Sequence, residues 1–552
     1  TVSTLVVGNA ATSGALGTGA ISNNGVLSFK RSDAISVADI ISGTGIVKQE
    51  GSGTLTLSAT NTYEGGTQVN AGTLAISTDR NVGAVPASVD PDNITLNGGT
   101  LRFMTGFTTL HANRGITLGA GNGTLSTDAS VSVNYSGVMA GTGGLTKSGS
   151  GTLRLTNIQT YTGTTTISGG TLNVGDGSDA LAALSANTIS IGSGATLNFN
   201  HNADVTVANA ISGLGQLNKM GATTLTLSGV NSYTGATGTG TAGGVVFAND
   251  TAPTTSGFTG SGTVTIEPSS TFTNALISNY TFANTISGFT WGKSSNVADL
   301  TIASPFSIAG PISLYGGNIN LNANVSSSLA NAALLFKASG NVTQASNVAL
   351  TSNGGDIILW ANSDGDTTNY GGILLNTGAS INSQNGNVTL GGGSSLDTGY
   401  ATTQTTNVGN TGDNAANYSG GVALFNATIN AGTGAVTMRG ESVGSADDFA
   451  MGILLRGDAG TSSITGGAIT LVGISNNAAN AGGNGSSDRG IALVNSSIAG
   501  SGAVSLTGTG SAGTGGAAWN NSGIYLNGST LTSTGSSVSL NGTGRGANAD
   551  RK

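Results

Sequence analysis

The chain repeats one alternating pattern of apolar and polar residues. Residues 53–77 read GTLTLSATNTYEGGTQVNAGTLAIS, and residues 151–175 read GTLRLTNIQTYTGTTTISGGTLNVG. In both stretches Leu, Val or Ile recurs at every second position until Gly or Asn interrupts the pattern. This alternation predicts short β-strands with one buried side, joined by tight turns at Gly and Asn.

The distances between copies indicate stacked coils rather than tandem globular domains. Leu55 of the first copy corresponds to Leu153, 98 residues later, and to Leu225, a further 72 residues on. A globular domain cannot lose about 26 residues and keep its fold, whereas a solenoid can lose one coil. Both distances are near multiples of about 24 to 25 residues, which is within the range of solenoid repeats. We expect six leucines to point inward on equivalent strands: Leu55, Leu57, Leu153, Leu155, Leu225 and Leu227.

The second half of the chain repeats in units of three apolar segments. The first segment of each unit reads GILL, GVAL, GILL, GIAL or GIYL and begins at residue 372, 421, 452, 490 or 523. Another segment, such as GNVTL at 386 or GAVSL at 502, follows 12 to 15 residues later. A single apolar residue lies between the two segments in each unit: Ile381, Ile429, Ile464, Ile498 and Leu531. Three short strands per unit predict a coil with three sides.

These patterns predict an all-β fold, a right-handed parallel β-helix (β-solenoid) that is elongated and has Gly-rich corners. Strands of successive coils pair at about 4.8 Å, which satisfies their backbone groups, and parallel crossovers favour the right-handed path. We expect a solenoid with three repeat copies over residues 1–245 and a junction that continues the solenoid over 246–320. A second solenoid, with irregular repeats of about 31 to 49 residues, should cover 321–552.

Composition excludes several functional classes. Charged residues are 8% of the chain, the net charge is −8, and Lys and Arg together number 17, which argues against binding to nucleic acid. No apolar run approaches the roughly 20 residues of a membrane-spanning helix. The sequence has no cysteine, which excludes thiolate chemistry and fits a chain that crosses an oxidising compartment unfolded. No cofactor is predicted.

Residues 141–175, GTGGLTKSGSGTLRLTNIQTYTGTTTISGGTLNVG, resemble the passenger-associated repeat of bacterial autotransporter proteins. The likeness covers three copies within residues 20–245. Residues 281–395, which include GNINLNANV and GGDIILWANSDGDTTNYGGILL, look like large exoproteins of the filamentous-haemagglutinin type. We also expect the chain to be part of a longer protein, because its first residues carry no secretion signal.

The resemblance implies a β-helix that is secreted across the outer membrane of a Gram-negative bacterium and displayed at the cell surface or outside the cell. It implies a non-enzymatic role as an adhesin stalk, in aggregation, or as a component of an extracellular filament or matrix. The implied partners are an outer-membrane translocator during export, a host or neighbouring-cell surface, and other copies of the chain joined end to end. The alternative function is that of a glycan-active β-helix enzyme of the polysaccharide lyase or hydrolase type.

One stretch is a candidate calcium site. The sequence NSDGDTTN, residues 362–369, places Asn362, Asp364 and Asp366 at alternate positions, as in the first ligands of an EF-hand loop. The glycine of an EF-hand falls at a different place, and no bidentate Glu follows at the required spacing. The alternative is a turn rich in Asn and Asp. No other metal site is predicted.

A second candidate site is a cell-binding tripeptide. Arg456, Gly457 and Asp458 form an RGD sequence directly after the GILL segment at residue 452. The position corresponds to a strand end followed by a turn, where the tripeptide is exposed for a receptor. The alternative is a chance occurrence in a Gly-rich chain.

A glycan-active enzyme needs paired carboxylates. Close pairs occur at Asp90/Asp92, Asp176/Asp179, Asp364/Asp366 and Asp447/Asp448. None recurs with the coil period, so we interpret them as solvated loop residues. The chain has two histidines, His111 and His201, and His201 aligns with Arg31 at a turn or outward position. The sequence therefore predicts no catalytic residue.

Overall fold

The computed structural model describes residues 3–178, 182–185, 187–249, 251–267, 277–367, 370–403, 418–443, 449–458, 460–476, 488–511 and 521–544. Contacts within the chain divide it into two compact units, Thr1–Thr263 (unit 1) and Val264–Lys552 (unit 2). The sequence-based division into segments 1–245, 246–320 and 321–552 stays a prediction.

Across the described ranges the chain is built from β-strands, with two short 3₁₀ turns at Asp79–Val82 and Ile277–Asn279 and no α-helix. The long sheets contain only parallel strand pairs, and each strand pairs with strands of the coils before and after it. The predicted parallel β-helix is therefore confirmed.

The strands of unit 1 are short and follow one another closely. In chain order they are β1 (Thr4–Val7), β2 (Ile21–Ser22), β3 (Val26–Phe29), β4 (Ile35–Val37), β5 (Ile41–Ser42), β6 (Ile46–Gln49), β7 (Thr54–Leu57), β8 (Thr67–Val69), β9 (Thr73–Ile76), β10 (Asp90–Leu96), β11 (Thr100–Phe103), β12 (Thr109–Leu110), β13 (Arg114–Leu118), β14 (Gly123–Thr127) and β15 (Ser132–Tyr135). They continue as β16 (Met139–Gly141), β17 (Leu145–Ser148), β18 (Thr152–Leu155), β19 (Thr165–Ile167), β20 (Thr171–Val174), β21 (Ile189–Ile191), β22 (Thr196–Asn200), β23 (Val205–Val207), β24 (Ile211–Gly213), β25 (Gln216–Met220), β26 (Thr224–Leu227), β27 (Asn231–Tyr233), β28 (Thr237–Gly238), β29 (Gly244–Phe247) and β30 (Gly257–Thr259).

Within unit 1 these strands form four main stacks. Stack I runs β1-β3-β6-β8-β10-β13-β16, and stack II runs β4-β7-β9-β11-β14-β17-β19-β21-β24-β27. Stack III runs β12-β15-β18-β20-β22-β25-β28-β30, and stack IV contains β23-β26-β29. Strands β2 and β5 form a small pair of their own. Residues paired across neighbouring coils are about 20 to 25 positions apart, as for Asn198 with Asn218 and Asn173 with Asn198.

The six leucines predicted to point inward are buried, but they do not lie on equivalent strands. Leu55 lies on β7 of stack II, Leu153 on β18 of stack III, and Leu225 on β26 of stack IV. The prediction was wrong on this point because the distances between copies are not whole numbers of coils. The first distance is four coils plus one strand, and the second is three coils plus one strand, so each copy begins one side of the coil later.

Unit 2 begins within β31 (Thr263–Ile266) and has longer connections between its strands. The others are β32 (Thr281–Phe282), β33 (Gly288–Trp291), β34 (Leu300–Ile302), β35 (Phe306–Ile308), β36 (Ile312–Gly316), β37 (Ile319–Leu321), β38 (Val325–Ala330), β39 (Leu334–Ala338), β40 (Val342–Gln344), β41 (Ala349–Asn353), β42 (Ile357–Ala361), β43 (Ile373–Leu375) and β44 (Ser380–Asn382). They continue as β45 (Val388–Gly392), β46 (Ala401–Thr403), β47 (Tyr418–Phe425), β48 (Thr428–Asn430), β49 (Val436–Val443), β50 (Phe449–Arg456), β51 (Ser462–Gly466), β52 (Ile469–Asn476), β53 (Arg489–Val494), β54 (Ser496–Gly500), β55 (Val504–Thr509), β56 (Ile524–Asn527), β57 (Thr530–Ser533) and β58 (Val538–Thr543).

Unit 2 has the three-sided coil that its sequence predicts. Stack V runs β33-β36-β39-β42-β45-β49-β52-β55-β58, with β46 also paired to β49. Stack VI runs β34-β37-β40-β43-β47-β50-β53-β56 and contains the segments of the GILL type. Stack VII runs β35-β38-β41-β44-β48-β51-β54-β57 and contains the single apolar residues that lie between the other two segments. Inward residues such as Leu359 and Leu390 of stack V are fully buried, whereas Val538 and Leu540 of its last strand, β58, are exposed.

Glycine at one repeat position shows why the corners need it. Gly43, Gly141 and Gly213 are equivalent in the three copies and have φ values of 103°, 109° and 108°. A Cβ at these positions would lie 2.4, 2.2 and 2.1 Å from a carbonyl oxygen of the preceding coil. Both the left-handed backbone and the close approach of the coils therefore exclude a side chain here.

Candidate functional site

The RGD tripeptide lies at a corner of unit 2, where β50 ends at Arg456. The Arg456 Nε donates to Asp458 Oδ1 at 2.5 Å, so the cation and the anion of the tripeptide pair with each other. Their side chains are 21% and 35% exposed. The structure thus folds the two charged ends of the tripeptide together.

The backbone of the tripeptide is held by the coils on both sides. Gly457 N donates to Val494 O at 2.9 Å, and the Asn495 amide donates to Gly457 O at 2.9 Å. On the other side, Asp458 N donates to Asn426 Oδ1 at 3.0 Å. These bonds show that the tripeptide has a structural role in the corner. A receptor-binding role stays a prediction.

The calcium candidate residues lie in one turn that follows β42. Asn362 has a φ of 49°, and Gly365 N donates to its carbonyl oxygen at 3.0 Å. Asp366 N donates to Asp364 Oδ1 at 3.2 Å, as in a turn closed by an aspartate side chain. Among the described residues, no group of three or more His, Asp or Glu side chains is arranged to hold a metal ion. Calcium binding by this turn stays a prediction.

The residues considered for an enzyme are spread over the chain. His201 is buried, and its Nε2 lies 2.8 Å from Ala182 O, which differs from the outward or turn position inferred from the alignment. Asp90 accepts a bond from Asn93, and Asp176 accepts bonds from Ser178. Asp179, Asp447 and Asp448 lie outside the described residues. In the part of the chain that is described, each ion pair joins one arginine to one aspartate: Arg31–Asp33, Arg102–Asp128, Arg114–Asp79 and Arg456–Asp458.

The tyrosine that recurs in the three copies is a packing residue. Tyr63 and Tyr161 are almost fully buried where the chain crosses from one pair of strands to the next, and Tyr233, also buried, ends the short strand β27 at the equivalent crossing. Each hydroxyl bonds the Thr four residues later at 2.7, 2.5 or 2.6 Å, respectively. Burial raises the pKa of Tyr161 to about 12. The repeat therefore encloses a Tyr–Thr pair that joins the crossing to the start of the next strand.

A buried cation occupies another repeat position. Lys147 and Lys219 are almost fully buried, and the equivalent residue of the first copy is Gln49. Lys147 Nζ donates to Ser148 O at 2.7 Å, to Gly149 O at 3.0 Å and to a third carbonyl of the next coil at 3.1 Å. Burial lowers the pKa of Lys147 to about 8 and also lowers that of Lys219.

Gln49 fills the same place with a neutral side chain. Its amide donates to Gly51 O at 2.8 Å and to Gly53 O at 3.0 Å. The position therefore needs donors for the corner carbonyls rather than a charge. Aligning the three copies places Gln49, Lys147 and Lys219 in one column, but the alternating pattern alone does not mark them as buried donors.

A third buried cation, Arg114, lies under the 3₁₀ turn of unit 1. Its Nε donates to Asp79 Oδ1 at 3.0 Å, and its two terminal nitrogens donate to Asn93 Oδ1 and Gly83 O, each at 2.8 Å. Arg114 is fully buried. It joins the turn to the strands β10 and β13, and no repeat pattern marks it in the sequence.

Three segments of unit 1 match the passenger-associated-transport-repeat. They are residues 48–76, 145–174 and 217–241, and they contain the Tyr–Thr pairs and the Lys147, Lys219 and Gln49 position described above. The first two segments each begin on one pair of strands and end on the pair stacked above it, and the third begins on β25 and ends on β28, which stacks on β25.

The chain is also similar to the Adhesin BmaC autotransporter of Brucella suis biovar 1 (strain 1330). The two are 44% identical over 126 residues, which is 22% of this chain and 4% of that protein. The matched stretch is therefore a small part of the relative. No solved structure matches the chain significantly.

The repeat and the relative identify a protein that is secreted to the cell surface of a Gram-negative bacterium. The helices found in the described residues are too short to cross a lipid bilayer.

Proposed function

We propose that this chain is the β-helical shaft of a surface adhesin, a non-enzymatic stalk that carries adhesive contacts on its sides. The relative's name describes an adhesin and an autotransporter, and three autotransporter passenger repeats occur in unit 1. The proposal applies this role to the coils of both units.

One observation carries the proposal. In the repeats, the groups best suited to chemistry point inward and bond the protein's own backbone or neighbouring side chains. The Lys147 ammonium donates to three carbonyls, and the Tyr161 hydroxyl bonds Thr165. Buried polar groups must be paired in this way, so the repeats are built for stacking rather than for turnover.

Export through an outer-membrane translocator is part of the same proposal. A chain without cysteine cannot form disulfides that would obstruct passage of the unfolded polypeptide. Each coil pairs mainly with its two neighbours, so coils are able to fold one after another as they emerge. Association of copies end to end stays a prediction, which sedimentation of the purified chain would measure.

The adhesive role is tested with beads coated with the full 552-residue chain and added to epithelial cells and to other bacteria. We expect more beads to bind than beads coated with an unrelated β-helix of similar charge. Binding equal to that control on every cell type would contradict the proposal.

The enzyme alternative is tested separately. Purified chain is incubated with acidic and neutral polysaccharides, and the release of new reducing ends or unsaturated products is measured. We expect no release above a heat-denatured sample. Sustained turnover would replace the shaft by a glycan-active enzyme.

A further inference from the structure

One outward row of stack V in unit 2 carries large aromatic and cationic side chains. Tyr315 of β36 lies beside Lys337 of β39, which lies beside Trp360 of β42. The residues before and after them on each strand point into the core and are buried. The three side chains themselves are half-buried on the lateral face.

The row continues across a gap to Arg439. The next strand places Gly391 beside Trp360, and a Cβ at Gly391 would lie 4.0 Å from the Cβ of Arg439 on β49. The same Cβ would lie 3.4 Å from Leu396, whose side chain covers the glycine. Tyr315, Lys337, Trp360 and Arg439, which we call the lateral row, therefore follow one line across the strands.

The two cations of the lateral row are held against aromatic rings. Lys337 Nζ lies 3.9 Å from the centroid of the Trp360 ring, and the guanidinium of Arg439 lies 5.6 Å from that of Tyr400. The Trp360 ring is itself fixed, because its Nε1 donates to Gly393 O at 2.8 Å. Cation–π contacts of this kind position a charge without neutralising it.

Two outward rows of unit 1 consist mainly of small polar residues, with Arg154 as a cation in the second of them. In stack II of unit 1 the outward positions of five successive coils are Thr124, Thr146, Thr166, Ser190 and Ser212. In stack III, Asn173, Asn198 and Asn218 bond one another along the row. Rows of this kind complete the sheet surface, whereas the lateral row places rings and charges there in a chain with 5% aromatic residues.

We propose that the lateral row binds an acidic polysaccharide, with Lys337 and Arg439 contacting its carboxylates and the aromatic rings contacting the faces of its sugar units. This inference rests on the proposed adhesive function and names its ligand class. Arg and Lys form charge-assisted hydrogen bonds to carboxylates, and Tyr and Trp offer an apolar face together with a polar tip.

The geometry favours an extended, flexible polyanion. Lys337 and Arg439 are three strands apart along the stack, a distance of about 14 Å at the usual strand spacing. The lateral row runs perpendicular to the strands on a sheet surface, so a linear polymer is able to lie along it and contact both cations. Two cations in a chain of net charge −8 form a local site for an acidic ligand rather than a surface for nucleic acid.

Among the described residues, the acidic groups near the lateral row form no ion pair with its cations. Glu441 lies two residues after Arg439 on β49 and accepts a bond from the Asn476 amide at 2.5 Å. Asp356, at the start of the Trp360 strand region, accepts a bond from Asn387 N at 2.8 Å. The Asp364 turn is close to Ser394, on the loop that follows β45. The recorded ion pairs of the described residues include neither Lys337 nor Arg439.

The test measures binding of the full chain to polygalacturonate, with neutral dextran and single-stranded DNA as comparison ligands. The variant is Lys337→Gln/Arg439→Gln. Its matched control is Lys48→Gln/Arg154→Gln, which removes the same charges from outward strand positions of unit 1. Circular dichroism and thermal unfolding establish that both double variants fold as the parent does.

We expect the parent to bind polygalacturonate in preference to both comparison ligands, and more weakly as the salt concentration rises. The lateral-row variant should lose about tenfold or more in affinity, since two charge-assisted contacts are removed, while the control binds as the parent does. If both double variants lost the same affinity for polygalacturonate, the binding would depend on the total charge of the chain, and the proposed site would be wrong. Equal binding of single-stranded DNA or dextran would overturn the ligand class.

Cell binding separates this inference from the proposed function. If the parent and the lateral-row variant bind cells equally well, the adhesive function stands and the site is wrong. If the parent binds polygalacturonate through the lateral row but binds no cells, the site stands and the proposed function fails.

Discussion

Units 1 and 2 form the same kind of coil by different means. In unit 1, paired residues of neighbouring coils are about 20 to 25 positions apart, as for Asn134 with Arg154. In unit 2 the separation reaches 49, as for Asn426 with Thr377, yet the neighbouring strands β43 and β47 keep their register. The quantity that the fold preserves is therefore strand register, and the length of the connection between strands is free to vary.

The corners differ in the same way. Unit 1 uses mainly glycine for left-handed corner residues, whereas unit 2 often uses asparagine, as at Asn347, Asn426 and Asn495. Unit 1 also encloses two lysines, Lys147 and Lys219, and the buried residues described for unit 2 include no lysine. Buried lysine is thus a feature of unit 1, whereas a buried neutral donor occurs in both units, as at Gln344, whose amide donates to Val348 O at 2.7 Å.

The largest expected effect tests what the units share. Leu153→Ala in unit 1 and Leu471→Ala in unit 2 each remove a fully buried inward side chain. Each should lower the free energy of unfolding by about 2–5 kcal/mol because a cavity is left behind. Hydrogen exchange should show lost protection in the mutated coil and its neighbours only. Loss of protection throughout both units would show that stability is not coupled only between adjacent coils.

The next prediction tests the buried donors of unit 1. Lys147→Met keeps the apolar stem but leaves corner carbonyls without their donor, at a cost of about 1–3 kcal/mol for a buried group. Lys147→Gln should be tolerated much better, because Gln49 fills the equivalent place in the first copy. Urea unfolding of both variants measures the difference. If Gln destabilises the chain as much as Met, the charge itself is required and the comparison with the first copy fails.

A smaller effect tests the asparagine corners of unit 2. Asn495 has a φ of 46° and donates to Gly457 O. Asn495→Ala should cost about 1–2 kcal/mol for the left-handed backbone, in addition to the lost bond. Asn495→Gly removes the bond but relieves the strain, so the difference between the two variants isolates the backbone term. Equal unfolding free energies for Ala and Gly would show that conformation is not what selects asparagine.

The last prediction concerns the pH dependence of the stability of unit 1. The pKa of Lys147 is lowered to about 8 from 10.5, so above pH 8 the folded state loses this proton before the unfolded state does. Stability should therefore rise with pH above 8. Burial raises the pKa of Tyr161 from 10.0 to about 12, so stability should fall again above pH 10, where the unfolded tyrosine ionises first.

Thermal unfolding of Lys147→Gln supplies the control for this dependence. The rise above pH 8 should become smaller in the variant, while the fall above pH 10 persists. A rise of unchanged size in the variant would assign it to another group.

The sequence predicted the elements that depend on local pattern. The alternation around Leu55 and Leu153 identified inward leucines, and the three apolar segments per unit identified the three stacks of unit 2. It did not predict that successive copies begin on different sides of the coil, because that depends on the length of every connection between them. It also did not predict the buried lysine position, since lysine is ordinarily a surface residue.

The lateral row could be predicted from the sequence even less than the fold could. Trp360 shares no sequence period with the other tryptophans, and Lys337 and Arg439 are separated by coils of unequal length. Only the register of β39, β42, β45 and β49 brings them onto one line. The RGD tripeptide can be read directly from the sequence. The ion pair between Arg456 and Asp458 cannot, because it depends on the corner that Asn426 and Asn495 hold.

The one-side advance of the repeat copies has a consequence for how such a chain can lengthen. A copy that starts on stack II, then III, then IV has kept its inward leucines each time, so the three sides of the coil accept the same sequence. A duplicated segment therefore has to contain a whole number of strands, but it does not have to contain a whole number of coils. If the segment is one strand longer than a whole number of coils, the next copy begins on the next side of the coil. A surface feature that each copy carries then faces a different side in each of the three copies, although its own residues are unchanged.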